Sequence, residues 1–519
     1  MRIRRALLQA TGERYFVVAI NLATIAIVSR LLTPKEIGAY VLGMATVAFA
    51  LAVREFATSE FLVQRETLAP DDVRTSFTIQ MGLSLFIAAV VWMIAPAIAA
   101  FYGADDLELF LEVSLVAVLI EAASLPIVAL LRRDMAFGKL AVLNVSSSAV
   151  GGLATCGLAW LGFSTMSFAW ALLASAATAV VLAICFHPDI RIFLPSLKSW
   201  RMALAFGGYN GTTRVLGKAA ETIPLFVLGR VLPVAAVGLY NRASILCLVP
   251  DRVLLAGLVS IALPALAGEL RAGHNLKEPY LRGIGYIAVV YWPALAMLAL
   301  LAYPIVDLAL GPQWLEAVPL VQIIAVGYFF CVPLVLTQSV LVAVGAFRDY
   351  LTATLISSPF SIAVMCAASF LGLKMLAASY LIALPFQMVV QQHFIRRHID
   401  VQWPDLARSV RSSAIVTAGA ALGPLLVIAG TGFSFELSVP AGIGAGLLGG
   451  LCWVAALYLT RHPFLDEIRD LIGWTGRAES SLYWLSFPRT RESRATAPSL
   501  ALDPACAGVT GKGGGDDGE

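Results

Sequence analysis

Apolar runs of about twenty residues, long enough for a helix to cross a bilayer, follow one another along almost the whole chain. They fall near 15–32, 38–60, 76–102, 108–131, 140–161, 165–186, 204–231, 236–268, 281–309, 316–345, 350–372, 376–395, 412–431 and 437–460. The pattern predicts an all-α integral membrane protein of about fourteen spans. The run 236–268 is too long for one simple span and holds Pro250, Asp251 and Arg252, so a kink is expected there. The opening run, after Arg2, Arg4 and Arg5, has Arg30 and Pro34 where a cleavage site would need small residues. It is read as an uncleaved first span.

The polar connections alternate in charge. One set is basic: Arg65 and Arg74, Arg132 and Arg133, Arg191 and Lys198, Arg271 and Lys277, Arg396 and Arg397, then Arg461. The intervening set is poor in positive charge: Lys35 with Glu36, residues 103–108 with three acids, 162–164, 311–314 and 431–433. The excess of Lys and Arg marks the cytoplasmic side. Both termini are therefore expected in the cytoplasm, and the number of spans is even.

The chain also echoes itself. Arg30-Leu31-Leu32-Thr33-Pro34 leads to Gly38 and Tyr40; Arg230-Val231-Leu232-Pro233 leads to Gly238 and Tyr240, an offset of 200 residues. Ala136-Phe137 recurs as Ala346-Phe347, an offset of 210. Two similar bundles with substrate held between them are a common transporter build. The expected divisions are a six-helix lobe in 1–190, a second in 200–400, two additional helices in 401–460, and a cytoplasmic, largely disordered tail in 461–519 that ends in a glycine-rich acidic run.

Composition agrees. Hydrophobic residues make up 59% and charged residues 13%, with a mean hydropathy of +0.83 and a net charge of +3. Soluble domains carry about 25% charged residues. Nothing points to a nucleic-acid partner. The seven cysteines are scattered, six of them in apolar segments, and read as buried inert thiols. The five histidines show no metal-ligand spacing, and no phosphate-binding loop motif occurs. No cofactor, metal or enzymatic chemistry is expected.

The sharpest cluster is in the seventh span. Arg214, Lys218 and Glu221 are spaced by four and three, so they share one helix face. Each charge near mid-membrane costs about 2.5–3.5 kcal/mol on insertion scales, so such groups face a wet cavity or one another. Two readings follow. Arg214 and Lys218, with Asn210 and Asn241, form a substrate site that attracts phosphate; or the triplet is a salt-bridge ladder that eases insertion. Asp251 and Arg252 are candidates for gating. Glu221, Glu112 and Glu121 are candidates for coupling to H+ or Na+.

Several segments resemble the polysaccharide (Wzx-type) flippase family of the multidrug/oligosaccharidyl-lipid/polysaccharide exporter superfamily. They include Arg30 to Gly38, Leu62-Val63-Gln64-Arg65, Ala95 to Tyr102, Leu131 to Phe137, Leu228 to Leu232 and Gly238 to Ala243. The resemblance implies two six-helix lobes plus two helices. It implies a lumen that carries an undecaprenyl-diphosphate-linked oligosaccharide across the inner membrane, alongside polymerase and export machinery. Where the family often has an Asp-Asn pair before the second Gly-Arg, this chain has Pro224-Leu225, with Glu221 the nearest acid. An ion-coupled drug antiporter and a lipid II flippase of the same superfamily are the near alternatives; a membrane glycan polymerase or ligase is the distant one.

Overall fold

A computed structural model describes residues 2–465 except 53, 55–61, 63–67, 105 and 199. The side chains of 2–11, 190, 201–213 and 256–261 are not described. The expectations for the tail beyond 465, for Cys506 and for the Asn210 side chain lie outside the described residues.

The described residues form helices joined by short turns, with no strand among them. In the first half these are α1 (Arg2–Leu31), α2 (Pro34–Ala52), α3 (Pro70–Tyr102), α4 (Asp106–Ala122), α5 (Leu125–Arg133), α6 (Phe137–Trp160) and α7 (Met166–Phe186). The second half opens with α8 (Trp200–Val231) and α9 (Val234–Pro250). A π-helical turn, Asp251–Leu255, separates α9 from α10 (Ala256–Arg271). The expected kink is therefore real, and Pro250 is its cause: proline cannot continue the hydrogen-bond ladder.

Next come α11 (Lys277–Leu300), α12 (Ala302–Ala309), α13 (Val318–Tyr328), α14 (Val332–Val335) and α15 (Thr337–Ala343). Then follow α16 (Phe347–Phe370), α17 (Leu373–Ala378), α18 (Tyr380–Ile395), α19 (Trp403–Gly430) and α20 (Val439–Thr460).

Twelve described helices are long and apolar enough to cross a membrane. The two expected spans outside that number are α8, with Arg214, Lys218, Glu221 and Arg230, and the broken α9–α10 segment. The cysteines depart from expectation. Cys247 is buried, four others are half-buried, and Cys185 is exposed at the end of α7.

Packing repeats between the halves. In the first, α1 packs on α6, α6 on α7, α3 on α4, and α4 on α7. In the second, α8 packs on α16, α16 on α18, α11 on α13, and α13 on α18. The repeat reaches single backbone bonds. Before α6, Ala136 N–H donates to Leu131 O at 2.9 Å and Met135 takes φ 54°. Before α16, Ala346 N–H donates to Leu341 O at 2.8 Å and Gly345 takes φ 74°.

Arg30 and Arg230 are the penultimate residues of α1 and α8. The 200-residue echo is thus a structural repeat. The two last helices pack on each other and on α11, and a Cβ on Gly423 would overlap the backbone of Gly449. Gly442 and Gly449 are closely approached, which lets these helices pack tightly, whereas Gly444 and Gly450 face open space.

Candidate functional site

The halves meet along α2 and α9. Gly38 lies against Val234 O, and Gly238 lies against Pro34 O. A Cβ at either position would overlap that carbonyl, so only glycine permits this approach. The two contacts are the same contact repeated at the 200-residue offset.

More reciprocal contacts surround them. Arg30 Nη2 donates to Leu308 O at 2.6 Å, reaching from the first half to the second. Arg230 answers from the second half, with its guanidinium 5.0 Å from the Phe101 ring centroid. Tyr102 Oη donates to Phe226 O at 3.3 Å. In the opposite sense, Gln313 Nε2 donates to Leu32 O at 3.0 Å and Trp314 Nε1 to Ser29 O at 2.7 Å. The last-turn carbonyls of α1, which have no partner within their own helix, are thus capped by the other half. All these contacts sit at the end where the loops are poor in Lys and Arg. The seam between the halves is sealed there.

Aromatic rings back the seal within each half. Tyr40 stacks on Phe168 at 3.7 Å, and its repeat mate Tyr240 hydrogen-bonds Tyr380, Oη to Oη, at 2.8 Å. The entry to α2 is held by a capping box. Glu36 Oε2 accepts from Thr33 N–H and from Thr33 Oγ1, each at 2.7 Å.

The charged stripe lies on α8, deeper than the seal. At 1.5 Å per residue, Arg214 is about 25 Å from the sealed end of α8. Arg214 is exposed and Lys218 half-exposed. Lys218 Nζ donates to Glu221 Oε2 at 2.8 Å, so part of the ladder reading holds alongside the open face. Asn241 lies about 10 Å from the sealed end of α9, with its Oδ1 buried and without a partner among the described residues. That depth places it in the seal rather than beside Arg214 and Lys218.

Asp251 and Arg252 begin the π turn. Asp251 is within Coulombic reach of Arg14 on α1, and Tyr15 Oη donates to Val253 O at 3.2 Å. Arg252 lines a crevice with Val249 and Val253 on one side and Val18, Asn21 and Leu22 of α1 on the other. The gating candidates therefore sit between the halves.

Glu112 accepts from Trp92 Nε1 at 3.0 Å, a pair between α4 and α3. Glu121 is half-buried near the end of α4. Sequence reasoning missed Arg14 and Arg242. The offset that joined Arg30 to Arg230 also joins Arg14 to Arg214 and pairs Arg242 with Leu42, which was the signal available.

Fold and seam define a multi-pass helical membrane protein of two pseudo-repeated bundles. Residues 27–319 match the family described as polysaccharide biosynthesis protein. That match covers more than half of the chain, and the chain belongs to this family.

Among its relatives is the lipopolysaccharide biosynthesis protein WzxC of Escherichia coli (strain K12), 21% identical over 60% of this chain and 63% of that protein. Another is the succinoglycan biosynthesis transport protein ExoT of Rhizobium meliloti (strain 1021), 22% identical over 59% of this chain and 62% of that one. The chain thus spans less than two thirds of the length of these two relatives. In fold it is similar to the lipid II flippase MurJ in an inward closed conformation. The TM-score is 0.70 at 13% identity, covering 90% of this chain and 100% of that one.

Proposed function

We propose that this protein is a flippase. It moves undecaprenyl-diphosphate-linked oligosaccharide units across the bacterial inner membrane, for exopolysaccharide or lipopolysaccharide assembly, by alternating access. The observation that carries the reading is the reciprocal seam, closed at the basic-poor end, with a charged stripe exposed on α8 about 25 Å deeper. Two lobes that meet along such a seam can rock against each other, so that one end opens as the other closes. The names of the relatives, in lipopolysaccharide biosynthesis and succinoglycan transport, support the cargo class.

In this reading residues 1–190 and 200–400 form the two lobes. α8 and the α9–α10 segment complete fourteen spans, 401–460 supply the last two, and both termini are cytoplasmic. Arg214 and Lys218 hold the diphosphate, with Glu221 fixing the Lys218 head until cargo competes for it. Asn210 offers a further contact to the cargo. Asp251 and Arg252, opposite Arg14, form the inner gate. Glu112 and Glu121 are the remaining acids available for coupling to H+ or Na+. One elementary charge crossing 100 mV supplies about 2.3 kcal/mol. The protein works beside a polymerase and export machinery, and its own step is not enzymatic.

Deleting the gene from the bacterium that carries it should abolish the polymer and leave lipid-linked repeat units in the inner leaflet. Unchanged polymer would overturn the flippase reading. An Arg214→Gln/Lys218→Gln protein should insert normally, because lost charge eases burial, yet fail to export. Normal export at normal abundance would sink the anion site and leave the rest of the reading standing.

A further inference from the structure

The seam repeats the Gly38 and Gly238 contacts but differs at one facing pair of positions. Leu42, fully buried, packs on Gly229, whose Cβ would lie 2.8 Å from a Leu42 methyl. At the 200-residue offset Leu42 becomes Arg242 and Gly229 becomes Ser29. A leucine on glycine in one half is therefore answered by an arginine and a serine in the other.

Arg242 is 2% exposed and Ser29 0%. Arg242 Nε and Ser29 Oγ are both buried, and neither has a partner among the described residues. Trp314 links them. Its ring centroid lies 5.7 Å from the Arg242 guanidinium carbon, and its indole N–H bonds Ser29 O at 2.7 Å. Tyr40 of the first half is within Coulombic reach of the guanidinium. No carboxylate pairs with Arg242 among the described residues.

A buried charge without a counter-charge is costly, because its lost hydration is not repaid. The aromatic face of Trp314 returns only part of that cost. The closed seal therefore carries a built-in penalty that its symmetric half, with Leu42, avoids. Any process that supplies an anion to Arg242 relieves the penalty, and it can do so only if the seam parts. A ligand shifts a conformational equilibrium by its differential affinity for the two states. An anion that reaches Arg242 only in the open state has such a difference.

We propose that Arg242 is an anion-operated latch on the outer seal, drawn out of the seam by a phosphate group of the cargo as it nears the top of the lumen. The proposal rests on the flippase reading, and it adds a trigger. Outward opening is coupled to the presence of a phosphate-bearing cargo rather than to lobe motion alone. Ser29, exposed by the same movement, adds a hydroxyl donor.

The test uses the full-length protein in nanodiscs, carrying Ser29→Cys as a reporter and labelled by a bulky membrane-impermeant maleimide. Background from native cysteines is taken from the protein without Ser29→Cys. Farnesyl diphosphate is the probe and farnesol the control for its tail. With Arg242 present, farnesyl diphosphate should raise the labelling rate about 5-fold or more, the lower end of common coupling strengths. Farnesol should not.

Arg242→Leu, which copies the other half of the seam, should label slowly with or without the diphosphate; Arg242→Met serves if the leucine variant is poorly produced. Arg242→Lys should keep part of the response. A diphosphate response that survives Arg242→Leu or Arg242→Met overturns the latch, as does a response equal for farnesol or none with Arg242 present. Polymer loss on gene deletion, alongside any of those results, would leave the flippase reading intact.

Discussion

Gly38 and Gly238 each sit under the other half's helix start, Gly38 against Val234 O and Gly238 against Pro34 O. This reciprocity makes the seam one object with two equal contacts. Adding a methyl to either glycine should have the same consequence. Overpacking of this kind typically costs about 1–3 kcal/mol, and the lobes can relieve it by parting at the sealed end. Gly38→Ala and Gly238→Ala should each raise maleimide labelling of Ser29→Cys, by similar factors. The double variant should rise by less than the product of the two, because both changes loosen one contact surface. Parent-like labelling in either single variant would show that the seam does not depend on this approach.

The turns before α6 and α16 offer a test of the repeat that does not touch the seam. Both turns place one residue in the left-handed region, at Met135 with φ 54° and Gly345 with φ 74°. Glycine adopts that conformation freely, whereas a residue with a Cβ loses about 1–2 kcal/mol there. Met135→Gly should therefore raise the melting temperature slightly, and Gly345→Met should lower it by about 1–2 °C in a chain of this size. A fluorescence-detected melt would check both signs. Equal effects in the same direction would mean the two turns are not equivalent.

The repeat was legible in the sequence because helix ends need particular residues. Arg30 and Arg230, Gly38 and Gly238, and Ala136 and Ala346 occupy positions where geometry leaves few choices, and they survive divergence of the apolar surfaces between them. The break after Pro250 was legible for the same reason. The depth of the site residues was not. Asn241 follows Tyr240 in the chain and Asn210 precedes Arg214, but α8 and α9 run in opposite directions from the seal. Neighbours by type are therefore separated by depth. The burial of Arg242 was also hidden, since it falls inside the expected run 236–268 beside Asn241 and nothing in the run marks which surface it meets. Only its pairing with Leu42 across the offset shows it as the exception in the seam.

The proposed topology is testable at the same end. The sealed end gathers residues 33–36, 103, 162–164 and 311–314, the loops poor in basic residues. A cysteine at Ala104 should react with an impermeant reagent in intact spheroplasts, and one at Ser480 should react only after lysis. Labelling of Ser480→Cys in intact spheroplasts would invert the assignment and with it the naming of inner and outer gates.

The last prediction concerns pH. His462 follows the final helix and is 3% exposed. Its Nδ1 accepts from Phe464 N–H at 3.2 Å, so Nε2 carries the proton and donates to Ser413 Oγ at 3.2 Å. Ser413 in turn donates to Gly285 O at 3.0 Å. One neutral imidazole thus ties the end of α20 to α19 and α11. A second proton would have to displace the Phe464 N–H from Nδ1, and burial alone pushes the His462 pKa below its ordinary value of 6.5. The unfolded chain, with the ordinary value, binds a proton first as pH falls. Stability from this site is therefore complete above about pH 6.5 and declines below it, by up to about 1.4 kcal/mol per pH unit, until the folded imidazole also titrates. Melting temperature measured from pH 7.5 to pH 5 should fall more steeply for the parent than for His462→Gln, whose amide keeps a donor for Ser413 without a proton to gain. Parallel curves for the two proteins would remove His462 from the account of acid sensitivity.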